Sequence, residues 1–533
     1  MSPARRDLVR RPGTAELPHS TALHAARRTR ELSELGDGAD IDVLVIGGGI
    51  TGAGIALDAA SRGLRTVLVE KHDLAFGTSR WSSKLVHGGL RYLASGQVAI
   101  ARESAQERHI LLTRTAPHLT RPLAQVMPLH GPGHLSRGAF VGTGYGLGDA
   151  LRRAVGTPGR LLPPPGLLSA AATLRHAPAV RADDLRGGIR GWDGQVIDDA
   201  RLVVAVARTA AGFGARILTR VEAVTGPGAI TTGDAATLRD TLTGQTMRVH
   251  ARAVVNATGV WAQQVDAGIR LRPSRGTHLV VDTARLGQSD VSLTAPLAGS
   301  RSRFVFTVPA VHGRTYIGLT DVPAGSEIPD VAVPAEGEID QLLDTVNGVL
   351  RTPLTRDDVI GTFSGLRPLL EAEEGDQTSD LSRAHAVIES DDGLLSVVGG
   401  KLTTYRRMAE DAVDAAIARR ILPHAGVSLT ASIPLVGAWP RERLADVRAP
   451  ARLVRRYGAE APAVAALPDG PAAARGVTAQ ELAWGVRVEG ALTVEDLLER
   501  RTRLGLVGAD REASVAAAHA ALADPVSLGK VVE

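Results

Sequence analysis

The 533-residue chain is 44% hydrophobic and 22% charged, with 3% aromatic residues and a formal charge of +4. These fractions exclude a disordered or fibrous chain, and so small a charge over this length excludes a dedicated nucleic-acid binder. Cysteine is absent, which removes disulfide scaffolds, thiol nucleophiles, iron–sulfur clusters and cysteine zinc sites together.

Residues 1–40 lack hydrophobic periodicity. Up to Arg30 they hold seven arginines against Asp7 and Glu16, a net of +5. A basic, disordered tail is expected, with an arm that touches anionic lipid or a partner as the alternative. No apolar stretch follows Arg5, Arg6, Arg10 and Arg11, so no signal peptide is expected. The nearest approach to a membrane span, Ile41 to Ala60, contains Asp42, Asp58 and five glycines. The protein is expected to be soluble or to sit on a surface.

The pattern changes at residue 41. Ile41-Asp-Val-Leu-Val-Ile46 reads as a strand and runs into Gly47-Gly-Gly49-Ile-Thr-Gly52. Ile55, Ala56, Ala59 and Ala60 then follow at helical spacing, and Arg65-Thr-Val-Leu-Val-Glu70 is a second strand. In this β-α-β unit Gly47 permits the tight turn, Gly49 lets the backbone approach a pyrophosphate, and Gly52 lets helix and strand pack. The helix N-terminus offers free N–H groups to the phosphates. Glu70, at the end of the second strand, can accept both ribose hydroxyls, and an acid there disfavours the 2′-phosphate of NADP. FAD and NAD remain.

The next stretch, Gly77-Thr-Ser-Arg-Trp-Ser-Ser-Lys-Leu-Val-His-Gly-Gly-Leu-Arg-Tyr92, is dense in small and hydroxyl residues. It suits a flat ring and donates to phosphate and ribityl oxygens. Downstream, Ala253-Val-Val-Asn-Ala-Thr-Gly259 is a second strand-to-glycine unit. Arg303-Phe-Val-Phe-Thr-Val-Pro309 and Arg314-Thr-Tyr-Ile-Gly-Leu-Thr320 read as antiparallel strands joined by a His312-Gly313 turn. A third strand-to-glycine unit, Leu394-Leu-Ser-Val-Val-Gly-Gly400, leads into a helix from Leu402. Its N-terminal amides would face a ring carbonyl and stabilise the negative charge of a reduced flavin, which favours FAD over NAD. Residues 421–533 are rich in Ala, Leu and Arg at helical spacing, with Thr493 and Asp496 as an N-terminal cap. His130-Gly-Pro-Gly-His134 reads as a surface loop, and no metal site is expected.

At these motifs the sequence resembles the FAD-dependent glycerol-3-phosphate dehydrogenases, within the glycine/D-amino-acid oxidase-like flavoproteins. Ile46-Gly-Gly-Gly-Ile-Thr-Gly-Ala-Gly54, Ser82-Ser-Lys-Leu-Val-His-Gly-Gly-Leu-Arg-Tyr-Leu93, Val254-Val-Asn-Ala-Thr-Gly-Val-Trp261 and Arg275-Gly-Thr-His278 carry the resemblance. So do Gly318-Leu-Thr-Asp321, Ser364-Gly-Leu-Arg-Pro368 and Gly399-Gly-Lys-Leu-Thr-Thr-Tyr-Arg406. Together they span residues 41–420 in order, and Glu489 to Thr502 is similar to the family's helical cap. Thr51 stands where some members carry asparagine.

The resemblance implies an α/β fold: a Rossmann-like FAD domain interleaved with an antiparallel-sheet substrate domain, plus a C-terminal helical domain. The expected segments are 41–125, 180–270 and 385–420 for FAD, 126–179 and 271–384 for substrate, and 421–533 for the helical domain. It implies FAD contacts from Gly47, Gly49, Gly52, Glu70, Thr78, Ser79, Ser82, Ser83, Lys84, Leu85, His87, Gly88 and Gly89. Ala257, Thr258, Gly259, Gly399, Gly400, Lys401, Leu402 and Thr403 complete that set. Arg91, Tyr92, His278, Arg367, Arg383 and Lys401 would face the substrate, with His278, Arg367 and Lys401 catalytic.

The implied reaction oxidises sn-glycerol 3-phosphate to dihydroxyacetone phosphate by hydride transfer from C2 to FAD N5. Electrons would pass to a membrane quinone from a cytoplasmic protein held peripherally on the inner face of the membrane. A homodimer is among the assemblies left open. The chemistry agrees in kind. A phosphate dianion calls for arginine forks and a lysine, and oxidising an alcohol requires a base, for which histidine suits neutral pH. Three alternatives stand beside this reading: an oxidase that uses oxygen, an amine or amino-acid oxidase on the same fold, and a redox-silent flavin-binding scaffold.

Overall fold

The structure, a computed structural model, describes residues 17–89, 96–132, 134–225, 230, 235–300, 303–325, 327–371, 384–419, 422 and 425–523. Arg91, Tyr92 and Arg383 lie outside the described residues.

The apolar run Ile41–Ile46 is the middle of an eight-stranded sheet. It pairs in parallel with Thr66–Glu70 on one side and Thr246–Asn256 on the other. Arg216–Thr219 and Leu395–Gly399 extend the parallel order outward, and His385–Glu389 adds an antiparallel edge. Both faces are covered, so strand residues of either parity are apolar. Val43 and Val45 pack with helices Ile50–Ser61, Asp199–Gly212 and Tyr405–Ala418, while Leu44 and Ile46 pack with Val67, Leu218 and Leu238. The last helix crosses the first at Gly54, where a Cβ would stand 2.9 Å from the Tyr405 ring.

The second sheet has ten strands. Ser274–Asp282 pairs antiparallel with Arg314–Gly318 and with Val359–Arg367. The expected hairpin is present, as Phe304–Pro309 and Arg314–Gly318 joined through His312 and Gly313. Its far side is formed by Thr120–His130 and Leu185–Val196. This corrects the expected segment boundaries. The segments placed at 41–125 and 180–270 each reach into the larger sheet, because eleven-residue Thr120–His130 pairs antiparallel with Leu185–Val196 on one side and in parallel with Ser292–Pro296 on the other.

One further expectation is corrected, and one element was not foreseen. The described part of the 1–40 segment is ordered: helix Ala25–Gly36 buries Arg27, Glu31 and Leu35, with Arg27 bonded to Glu31 at 2.6 Å and Arg28 to Asp240 at 2.6 Å. Internal ion pairs mask its amphipathic period in a scan for apolar residues. Residues following the expected His130–His134 loop form a 21-residue helix, His134–Ala154, despite its five glycines. Each glycine costs a helix about 1 kcal/mol, and packing of Tyr145 and Val141 with Met127, Leu129 and Ile189 offsets it.

The C-terminal region is helical as expected, and Thr493 Oγ accepts from the Asp496 N–H at 3.2 Å. It docks through buried arginines. Arg500 and Arg501 reach Asp73 at 2.6 and 2.8 Å. Burial opposes ionisation of Asp73, but the two guanidinium groups overcome it and hold the carboxyl far below the usual range.

Candidate active site

A cavity of about 1470 Å³ opens between the two sheets. Its nucleotide end is set by glycines. Gly47 has φ +111°, and a Cβ there would stand 2.7 Å from the Ala257 carbonyl oxygen. At Gly52 a Cβ would collide with the Gly47 carbonyl, so the helix can approach the turn only with glycine. Glu70 reaches back to accept from the Gly48 N–H at 2.6 Å and the His72 N–H at 2.8 Å, and burial raises its carboxyl. The first helical N–H, that of Ile50, donates to Ser79 Oγ at 2.9 Å.

Gly47, Gly49, Glu70, Thr78, Ser79, Ser82, Ser83, Leu85 and His87 line this cavity, as do Ala257, Thr258, Gly259, Gly399, Gly400, Lys401, Leu402 and Thr403. Four residues of the expected cofactor set do not. Gly52 packs against Gly47, and Gly88 and Gly89 pack against Arg108 and Ala101. Lys84 is buried away from the cavity, with its ammonium donating to Asp199 (2.9 Å), Ser82 O (2.8 Å) and Arg80 O (3.2 Å). Burial lowers the lysine, while Lys84 and Arg503 overcome burial to lower Asp199, so the pair is ionised. Its three donors are used inside the protein, which leaves none for a cofactor.

Strand register brings His278 and Arg367 to the same cavity. Phe363 lies opposite His278 and Arg367 opposite Ser274, so His278 and Arg367 rise from one face of the sheet. The His278 ring stacks on Phe363, centroids 4.6 Å apart and 11° from parallel. Its Nε2 meets Ser83 Oγ at 2.8 Å. Burial first, then the positive charges of Lys84 and Arg367, holds the imidazole well below its ordinary value, so it is neutral at pH 7. Arg367 donates to Asp321 Oδ1, Ser274 Oγ and Thr320 O, each at 3.1 Å. The guanidinium lies over Gly276, where a Cβ would meet its Cζ at 2.9 Å. Lys401, at the start of the helical turn Leu402–Thr404, donates to Ser104 Oγ at 3.0 Å. Asp321, Trp81 and Gly365 also line the cavity, and sequence reasoning missed them as site residues. Asp321 was visible only as the last letter of the Gly318-Leu-Thr-Asp321 motif.

The donor set and the glycine cradle fit a flavin dinucleotide. A model of FAD dependent oxidoreductases matches residues 42–406, and one of the C-terminal domain of alpha-glycerophosphate oxidase matches residues 428–527. Over 515 residues the chain is 54% identical to glycerol-3-phosphate dehydrogenase 1 of Mycobacterium tuberculosis, covering 94% of this chain and 98% of that protein. The chain belongs to the FAD-dependent glycerol-3-phosphate dehydrogenase family. A more distant relative, the mitochondrial glycerol-3-phosphate dehydrogenase of Macaca fascicularis, is 35% identical over 532 residues, covering 90% of this chain and 70% of that protein. Among solved structures, the glycerol-3-phosphate dehydrogenase of Bacillus halodurans complexed with FAD superposes with a TM-score of 0.70 at 29% identity, covering 95% of this chain and 94% of that one.

FAD is the cofactor of this dehydrogenase family, and the glycine turn, Glu70 and the residues 77–83 loop are the groups that would hold it. When bound, FAD supplies a hydride acceptor. Among the described residues no cluster of His, Asp or Glu could hold a metal ion, and no helix is long and apolar enough to cross a membrane.

Proposed function

We propose that this chain oxidises sn-glycerol 3-phosphate at C2 to dihydroxyacetone phosphate, with FAD N5 as hydride acceptor. The observation that carries the reading is the convergence of Arg367, Lys401 and a neutral His278 on one cavity with the dinucleotide turn. The cations suit a phosphate dianion, and a neutral imidazole suits the proton of a secondary alcohol. An amine or amino-acid oxidase needs one arginine for a carboxylate, not several cations. Anaerobic addition of glycerol 3-phosphate should bleach the flavin band while amino acids leave it unchanged, and the reverse pattern would overturn the assignment.

The acceptor is proposed to be a membrane quinone. Helix His134–Ala154 supports this reading: Ala139, Phe140, Thr143 and Leu147 line the cavity, yet Leu135, Phe140 and Leu147 are 76%, 47% and 51% exposed. An apolar face at the cavity rim suits a lipid surface. Of the seven N-terminal arginines, Arg27, Arg28 and Arg30 are committed to Glu31, Asp240 and Glu34, so the basic tail contributes less to docking than the composition suggests. The C-terminal match to alpha-glycerophosphate oxidase favours a second reading, oxygen as acceptor. Reoxidation of the reduced enzyme separates them: fast reduction of a quinone analogue with little peroxide supports the first, and stoichiometric hydrogen peroxide at full turnover supports the second.

A further inference from the structure

We propose that Ser83 is the proton relay between the substrate hydroxyl and His278. This rests on the reaction proposed above and adds a residue to it. The His278 ring is enclosed on nearly every side. Phe363 covers one face, and the Cδ2 edge lies against Gly318, where no Cβ would fit. Nδ1 is buried without a hydrogen-bond partner. The remaining polar atom, Nε2, meets Ser83 Oγ at 2.8 Å. Ser83 is half-buried and, like His278, lines the cavity, so its hydroxyl joins the imidazole Nε2 to the space a substrate enters.

The neighbouring hydroxyls are committed elsewhere. Thr78 Oγ1 donates to Leu366 O at 2.6 Å, Ser79 Oγ accepts from Ile50 N–H, and Ser82 Oγ donates to Asp199 at 2.8 Å. Ser82 and Lys84, locked to one carboxylate on either side, hold Ser83 in place. Phe363 and Gly318 hold the ring, so the pair is preorganised from two distant chain segments.

The step balances. As the C2–H bond breaks and its hydride leaves for FAD, the substrate hydroxyl proton passes to Ser83 Oγ and the Ser83 proton passes to His278 Nε2. The products are a ketone, a neutral serine, an imidazolium and a two-electron-reduced cofactor. The charged groups that bear on the imidazolium are Lys84, paired with Asp199, and Arg367, paired with Asp321. Their positive charge, with burial, disfavours the imidazolium, so the ring gives the proton up again and returns to its neutral form.

Ser83→Ala tests the relay by stopped-flow reduction with glycerol 3-phosphate and by FAD titration of the apoenzyme. Reduction of the FAD-saturated variant should slow by about 10²-fold, the lower end of the range for general acid–base catalysis, and Ser83→Thr should recover most of the rate. A proton inventory of wild-type reduction in mixed light and heavy water should curve, as two protons in flight require. Wild-type reduction speed in Ser83→Ala, a rate loss that merely follows lost FAD affinity, or a linear inventory would each overturn the relay. If Ser83→Ala does not fold, the inventory and Ser83→Thr still decide. A wild-type enzyme that glycerol 3-phosphate fails to bleach would instead remove the parent reaction.

Discussion

Replacing Arg367 by alanine acts on the substrate through two separable effects. Its guanidinium is 19% exposed, anchored to Asp321, Ser274 and Thr320 at one end of the cavity. A charge-assisted bond to the phosphate contributes about 1.5–3 kcal/mol, which is about 10- to 150-fold in affinity. The second effect is the carboxylate left behind. Asp321, 9% exposed, loses its arginine but keeps the Ser274 hydroxyl as a donor; it would face the dianion, and two unit charges about 6 Å apart at an effective dielectric of about 20 interact by about 3 kcal/mol. Arg367→Ala should therefore weaken glycerol 3-phosphate binding by about 10³-fold or more, and Arg367→Ala/Asp321→Asn should recover about 10²-fold of it. The assay is the concentration dependence of anaerobic flavin reduction, with the oxidised flavin spectrum as a control that the cofactor site is intact. A single variant that binds substrate as wild type would remove Arg367 from the phosphate site. A double variant no better than the single one would refute the role given to Asp321. Arg367→Lys should recover only part of the loss, because a point charge cannot replace a planar fork.

Gly276→Ala places a methyl group against the Arg367 guanidinium and should raise KM for glycerol 3-phosphate about tenfold or more, as expected for about 1.4 kcal/mol of lost binding, with the flavin spectrum unchanged. Lys84→Met leaves Asp199 buried without its cation and should destabilise the fold by about 3–5 kcal/mol; combining it with Asp199→Leu should restore much of the loss in a thermal melt. His118, driven to about 3 by burial and then by Arg201 and Arg441, is neutral in the fold, whereas the unfolded chain binds its proton at 6.5. The unfolded state holds the extra proton between those values, so stability is full above pH 6.5 and falls by about 1.4 kcal/mol per unit as the pH drops through that window. In a series of denaturant melts, His118→Gln should flatten that slope.

The dinucleotide turn was legible in the sequence because its constraints are local. Gly47, Gly49 and Gly52 answer to a turn, a backbone approach and a helix–strand contact, all within six residues, and the flanking strand and helix announce themselves by period. The helical C-terminal region and the hairpin around His312 were legible for the same reason. Motif resemblance named His278, Arg367 and Lys401, but it assigned Lys84 to the cofactor, and the fold turns that ammonium inward to Asp199. Which strands share a sheet was also hidden, since Thr120–His130 and Leu185–Val196 are separated by a glycine-rich helix whose stability comes from packing rather than propensity. The pairing of Ser83 with His278, 195 residues apart in the chain, lay equally beyond reach. Such convergence is set by strand register and by which side chain shields which atom, quantities that exist only once distant segments are packed together.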